Sequence, residues 1–179
     1  MTRLFVAIDL PEQVKSALAG FAHDLPAARW VGAEELHLTL RFIGEVDDST
    51  FAAIRNALAA VRFSAFPLIL CDVGHFPPGR RAPRVIWVGM NPCAGLAQLQ
   101  QDVELALIDA GIPPDERRFS PHITLARLKE GVPSSVERFE KLHAGFACPA
   151  FEVHEFILYS SLLTRSGAIH TKEAVYRCR

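Results

Sequence analysis

The chain lacks most of what would tie it to several common protein classes. Its four cysteines, Cys71, Cys93, Cys148 and Cys178, are scattered through 179 residues with no Cys-x-x-Cys pair. Such spacing fits neither a zinc ribbon nor a disulfide framework and reads as the reduced thiols of a cytoplasmic protein. No apolar run approaches the roughly 18 residues of a membrane helix, and Asp9 and Pro11 close the N-terminal run too early for a signal peptide. An excess of either charge is also missing. A net charge of −1 and a pI near 6.6 exclude a large basic surface for non-specific nucleic-acid binding, while leaving room for a small phosphorylated group in a local pocket. No flexible linker composition divides the chain, so a single domain over 1–179 is expected, and nothing in the composition calls for an oligomer.

What is present is half hydrophobic and patterned. Leu4 to Leu10 reads as a strand, and Pro11 opens a helix through about Leu25. Leu36 to Ile43 alternates, with Leu36, Leu38, Leu40 and Phe42 on one face and His37, Thr39 and Arg41 on the other. Asp47-Asp48-Ser49 then caps a second helix carrying Phe51, Ile54, Leu58 and Val61. Strands are predicted over Phe66 to Val73 and Arg84 to Met90, around a loop rich in breakers from Gly74 to Pro83. A helix over Leu96 to Ala110 leads to a second alternating segment, His122 to Leu128. A helix near Ser134 to Leu142 and strands near Phe151 to Ser160 and Ile169 to Arg177 complete the chain. The order β-α-β-α-β-β followed by α-β-α-β-β is nearly one unit written twice.

Each unit carries the same tetrapeptide pattern, His37-Leu38-Thr39-Leu40 and, 85 positions later, His122-Ile123-Thr124-Leu125. On a strand, residues i and i+2 share a face, so each histidine stands beside a threonine while the aliphatic residues anchor the opposite face. A lone strand histidine is ordinarily a satisfied polar residue; two in equivalent places of a repeat are a different signal. Facing each other across a groove, two imidazoles can remove a proton from an attacking water and protonate a departing ribose oxygen. The hydroxyls of Thr39 and Thr124 can hold the non-bridging phosphate oxygens. That chemistry calls for no metal and no cofactor, and the motifs lack the short ligand spacing of a zinc site.

The chain resembles the two-histidine phosphoesterase superfamily, specifically the prokaryotic RNA 2′,3′-cyclic phosphodiesterases formerly called 2′-5′ RNA ligases. Arg3-Leu4-Phe5-Val6-Ala7-Ile8, Leu36 to Gly44, Pro83-Arg84-Val85-Ile86-Trp87-Val88-Gly89 and Ser120 to Arg127 carry the resemblance. It implies a bilobal α+β fold of two antiparallel sheets forming a central cleft, with helices outside. It implies hydrolysis of cyclic phosphate ends of RNA to 2′-phosphomonoesters, with His37 as proton donor and His122 as acceptor. The near-symmetry of the motifs gives no independent way to choose between them.

The resemblance also singles out the residue five positions after each histidine. Phe42 would stack a base and Arg127 would hold phosphate. Strict alternation turns both away from the histidines, so each needs a bulge, a strong twist or a strand end to reach the cleft; for Phe42 a place in the core competes. Arg41 has the better orientation by alternation and is a lesser candidate. His23, His75, His143, His154 and His170 have no motif context and read as surface or satisfied polar residues. Arg80, Arg81 and Arg84 could rim an RNA site or form a solvated loop. Ser161 to Gly167 loosely fits the family's C-terminal Ser-x-Leu-x-x-x-Gly, and Trp30 and Trp87 read as core or cleft-wall anchors. The same site would also suit reversible 2′-5′ joining or 2′-5′ diester cleavage, and a non-catalytic module for RNA ends is the alternative from another class.

Overall fold

A strongly apolar N-terminal segment with alternate positions buried on both sides forms the centre of the first sheet in the computed structural model. The structure describes residues 1–25, 28–79, 81–129, 133–164 and 167–179. The strands are β1 (Thr2–Asp9), β2 (Arg29–Trp30), β3 (His37–Val46), β4 (Phe66–Leu68), β5 (Leu70–Phe76), β6 (Val85–Met90), β7 (Ile123–Arg127), β8 (Phe151–Val153), β9 (Glu155–Leu163) and β10 (Ala168–Arg177). The helices are α1 (Glu12–Ala19), α2 (Asp48–Ala60), α3 (Ala94–Asp109) and α4 (Pro133–Leu142). One antiparallel sheet runs β10-β9-β1-β3 and the other β2-β7-β6-β5, with β4 and β8 as a separate pair. This is the α+β class expected from the sequence. Among the described residues no helix is long and apolar enough to cross a membrane.

The core side of both sheets is continuous. Leu4, Val6, Ile8, Leu38 and Leu40 from the first sheet join Ile86, Val88, Ile123 and Leu125 from the second in one buried cluster with Ile54, Leu58, Leu99, Val103 and Phe139 of the helices. The other face of the first sheet holds only Phe5, Ala7, Ile157 and Tyr159 as a small buried group. That face is left for function.

Several boundaries differ from the periodic reading. The first helix stops at Ala19 and tightens into a 3₁₀ turn, Gly20–Asp24, ahead of Leu25; the residue before a proline is pushed out of helical geometry. Helix α2 begins where expected, with the Asp47 side chain accepting the Thr50 backbone N–H at 2.8 Å. The segment read as one strand from Phe66 divides, because β4 pairs with β8 while β5 pairs with β6. The strand read from Phe151 divides for the same reason on either side of His154. Strand β5 runs on through Gly74, where the Trp87 ring from β6 lies so close that an added Cβ would meet it at 2.3 Å.

The decisive local feature is a bulge in each motif strand. Along β1 and β3, Ala7 pairs with Thr39 but Val6 pairs with Arg41, so Leu40 is extra. Along β6 and β7, Trp87 pairs with Thr124 but Ile86 pairs with Ala126, so Leu125 is extra. Two consecutive residues therefore turn into the core in each strand, Leu40 with Arg41 and Leu125 with Ala126, and the alternation restarts one residue out of phase.

Candidate active site

Because of these bulges, the side chains five positions after each histidine return to the histidine's face. On β3 that face carries His37, Thr39 and Phe42, whose partners across β1 are Asp9, Ala7 and Phe5. The Phe5 ring centroid lies 4.9 Å from His37 and 5.9 Å from Phe42, and Phe42 is 52% exposed. The phase change puts Phe42 at the cleft wall and removes the core reading for it. On β7 the face carries Thr124 and Arg127, with Trp87 and Val85 as their β6 partners, and His122 immediately precedes the strand. Strands β3 and β7 lie beside each other. Asp9, Tyr159, His170 and Lys172 from one sheet and Arg29 and Trp30 from the other line a cavity of about 820 Å³, whose lining includes neither His37 nor His122.

The same phase change corrects the expectation for Arg41. Its side chain lies in the interior, 9% exposed. Its Nε donates to Glu104 Oε2 and its Nη2 to the Pro113 carbonyl, both at 2.6 Å. Asp115 lies 3.5 Å from Nη1. Arg41 is thus a buried, fully engaged ion pair on the opposite side of the strand from the histidines, and not a phosphate ligand.

The two histidines stand in unequal surroundings. His122 Nδ1 is 2.8 Å from the Ser120 carbonyl, and the Phe76 ring meets it edge-on at 4.9 Å. With Nδ1 as the donor, this contact fixes the tautomer and leaves Nε2 as the acceptor. His37 is packed among Phe5, Tyr159 and His170. Burial pushes its pKa down to about 4 and the neighbouring His170 acts in the same direction, against the Glu35 backbone and Asp9. In the protein alone at neutral pH, such a lowered value leaves His37 uncharged.

Sequence reasoning missed three neighbours. His170, read as an ordinary polar residue, stands with its centroid 5.5 Å from His37. Asp9, opposite His37, holds Lys15 at 3.0 Å and Lys172 at 2.7 Å. Arg29 pairs with Arg127 across β2 and β7 and so shares its face. None carries a motif signal, since each is brought in by sheet pairing from a remote segment. The reading of the remaining histidines holds for His143, 2.9 Å from Asp24; His75 is 2.6 Å from Glu140 through Nδ1, but its Nε2 is buried without a hydrogen-bond partner among the described residues. Arg80 lies outside the described residues, as do Arg165 and Ser166 of the C-terminal segment; the Arg84 guanidinium donates to the Lys129 carbonyl. Trp87 lies on the cleft face beside Thr124, and Trp30 donates to the Leu25 carbonyl at 3.0 Å. No cluster of three or more His, Cys, Asp or Glu side chains suited to a metal ion occurs among the described residues.

The profile described as LigT like Phosphoesterase matches residues 8–87 and again 88–170. The chain is 38% identical over 152 residues to an RNA 2′,3′-cyclic phosphodiesterase of Aeropyrum pernix, covering 83% of this chain and 85% of that protein. It is 36% identical over 174 residues to one of Geobacillus stearothermophilus, covering 93% of this chain but 54% of the length of that relative. The crystal structure of E. coli LigT complexed with 3′-AMP superposes with a TM-score of 0.80 at 30% identity, covering 99% of this chain and 98% of that one. The chain belongs to the LigT-like phosphoesterase family.

Proposed function

We propose that the cleft opens the 2′,3′-cyclic phosphate at the end of an RNA to a 2′-phosphomonoester. The observation that supports this reading is the duplicated bulged strand, which in each sheet brings the threonine and the fifth-position side chain of a His-x-Thr motif onto one strand face. The names of the relatives, RNA 2′,3′-cyclic phosphodiesterase, point to the same substrate, and a 3′-AMP complex of E. coli LigT shows a nucleotide bound to that relative.

In this reading the hydroxyls of Thr39 and Thr124 and the guanidinium of Arg127 hold the non-bridging oxygens, where charge is concentrated during transfer. A base stacks on the exposed Phe42 ring. His122 accepts the proton of the attacking water as the water oxygen bonds to phosphorus. The bond from phosphorus to the ribose 3′ oxygen breaks, and His37 gives that oxygen its proton. His37 is neutral in the protein alone, so the donor role requires it to be charged by the arriving phosphate, whose negative charge beside a buried imidazole favours protonation.

The test is hydrolysis of a 2′,3′-cyclic nucleotide in excess EDTA, with identification of the phosphomonoester released. The 2′ product is expected, with rate losses on the order of 10² to 10⁴ for His37→Ala and for His122→Ala. Full activity in either variant would overturn the assignment. Faster turnover of a 2′-5′ dinucleotide than of the cyclic nucleotide would shift the physiological reaction to the diester.

A further inference from the structure

The reading above uses two histidines, yet a third imidazole shares the sheet face that carries His37. His170 projects from β10 next to Ser161 of β9, and so onto the face that carries Tyr159, Phe5 and His37. Its ring stands edge-on to both Phe5 at 4.9 Å and His37 at 5.5 Å. Its Nδ1 is buried without a hydrogen-bond partner among the described residues, an arrangement that a surface histidine of no consequence would not keep.

We propose that His170 is a positioning residue for the proposed hydrolysis, a ring that fixes the orientation of the His37 imidazole and opposes a second positive charge beside it. The inference rests on the function proposed above for its meaning in catalysis, but not for its physical test. Two imidazoles at this spacing do not readily carry charge together, because like charges raise each other's energy. Burial lowers the affinity of His170 for a proton and Glu35 acts against it; burial and His170 both lower that of His37. Charge on one ring therefore opposes charge on the other. The other charged and titratable groups lining the cavity beside the pair are Asp9 of β1, Glu12 and Lys15 of α1, Arg29 of β2, Glu34 and Glu35 ahead of β3, Tyr159 of β9 and Lys172 of β10. Asp9 is already committed to both lysines, and burial keeps the Tyr159 hydroxyl protonated. Within this setting His170 is the titrating neighbour whose ring meets His37.

The experiment is an NMR titration of the imidazole signals of the free protein, wild type beside His170→Phe and His170→Gln. Removing the neighbouring charge should raise the His37 titration midpoint by about half a pH unit or more, the effect of two unit charges at this spacing even in a water-like medium. His170→Phe keeps an aromatic edge against Phe5 and His37, so its rate at the optimum should fall less than that of His170→Gln. Its pH–rate profile should nevertheless shift with the His37 midpoint. A purely structural role would lower activity without moving either midpoint. Should the variants fail to fold, the wild type alone decides: the His37 signals should register the titration of His170 as a separate inflection. An unmoved His37 midpoint in the folded variants, or a wild-type His37 signal blind to His170, would overturn the proposal. Either result would leave cyclic-phosphate hydrolysis untouched.

Discussion

At the scale of single residues, the informative contrast is between two histidines that the sequence presents as equals. His122 leans on a backbone carbonyl near the cleft opening, whereas His37 is enclosed by Phe5, Tyr159 and His170 and pushed down to about 4. A bound phosphate raises that value, because its negative charge stabilises the imidazolium. Between about 4 and the raised value, the complex holds more protons than the free protein, so binding takes up protons and affinity falls as pH rises through the window. Calorimetry of 2′-AMP binding near pH 6 in two buffers of different ionisation heat should show this uptake, reduced in His37→Gln. Binding heats independent of buffer would contradict it. In the proposed mechanism the acid role is thus tied to substrate arrival, a dependence invisible in a motif that reads the same in both halves of the sequence.

At the scale of elements, the site depends on where the alternation of a strand is interrupted. Strand β5 accommodates the Trp87 ring only because residue 74 has no side chain. Gly74→Ala should cost roughly 1–3 kcal/mol through overpacking and displace Trp87 from its place beside Thr124, lowering kcat as well. A crystal structure of the variant with Trp87 unmoved, or an unchanged unfolding midpoint, would count against this account. The strands and helices themselves were largely legible, because Leu36, Leu38 and Leu40 alternate with His37 and Thr39, and because α2 and α3 carry helical spacing. The bulges were not. A period of two gives no local sign that Leu40 and Arg41 will both turn inward, so Arg41 was expected at the cleft and Phe42 away from it. His170 was unreadable for another reason: it reaches His37 through the pairing of β10, β9 and β1, which a single sequence does not display.

At the scale of the whole molecule, the two lobes must hold β3 and β7 in fixed relation for the histidines to act on one phosphate. Arg41 contributes directly. From β3 it reaches Glu104 of α3 and the carbonyl of Pro113, while Glu104 also accepts the Asp115 backbone N–H at 2.8 Å. This fastens the first motif strand to the segment leading to Ser120 and His122. Arg41→Met removes one side of a buried, hydrogen-bonded pair and should destabilise by about 3–5 kcal/mol, a fall of roughly 6–20 °C in melting temperature at this chain length. Combined with Glu104→Met the loss should be well below the sum of the two single changes; simple additivity in calorimetric melting would show that the pair acts independently. The paired bulges bear on the same relation in a different way. They turn the interval between histidine and fifth residue into a reading frame, in which the count of residues matters more than their identity. A conservative exchange at Leu40 or Ala126 leaves the frame intact. Removing a single residue there would put Phe42 or Arg127 out of phase, with both histidines still in place and nothing in the composition to betray the loss.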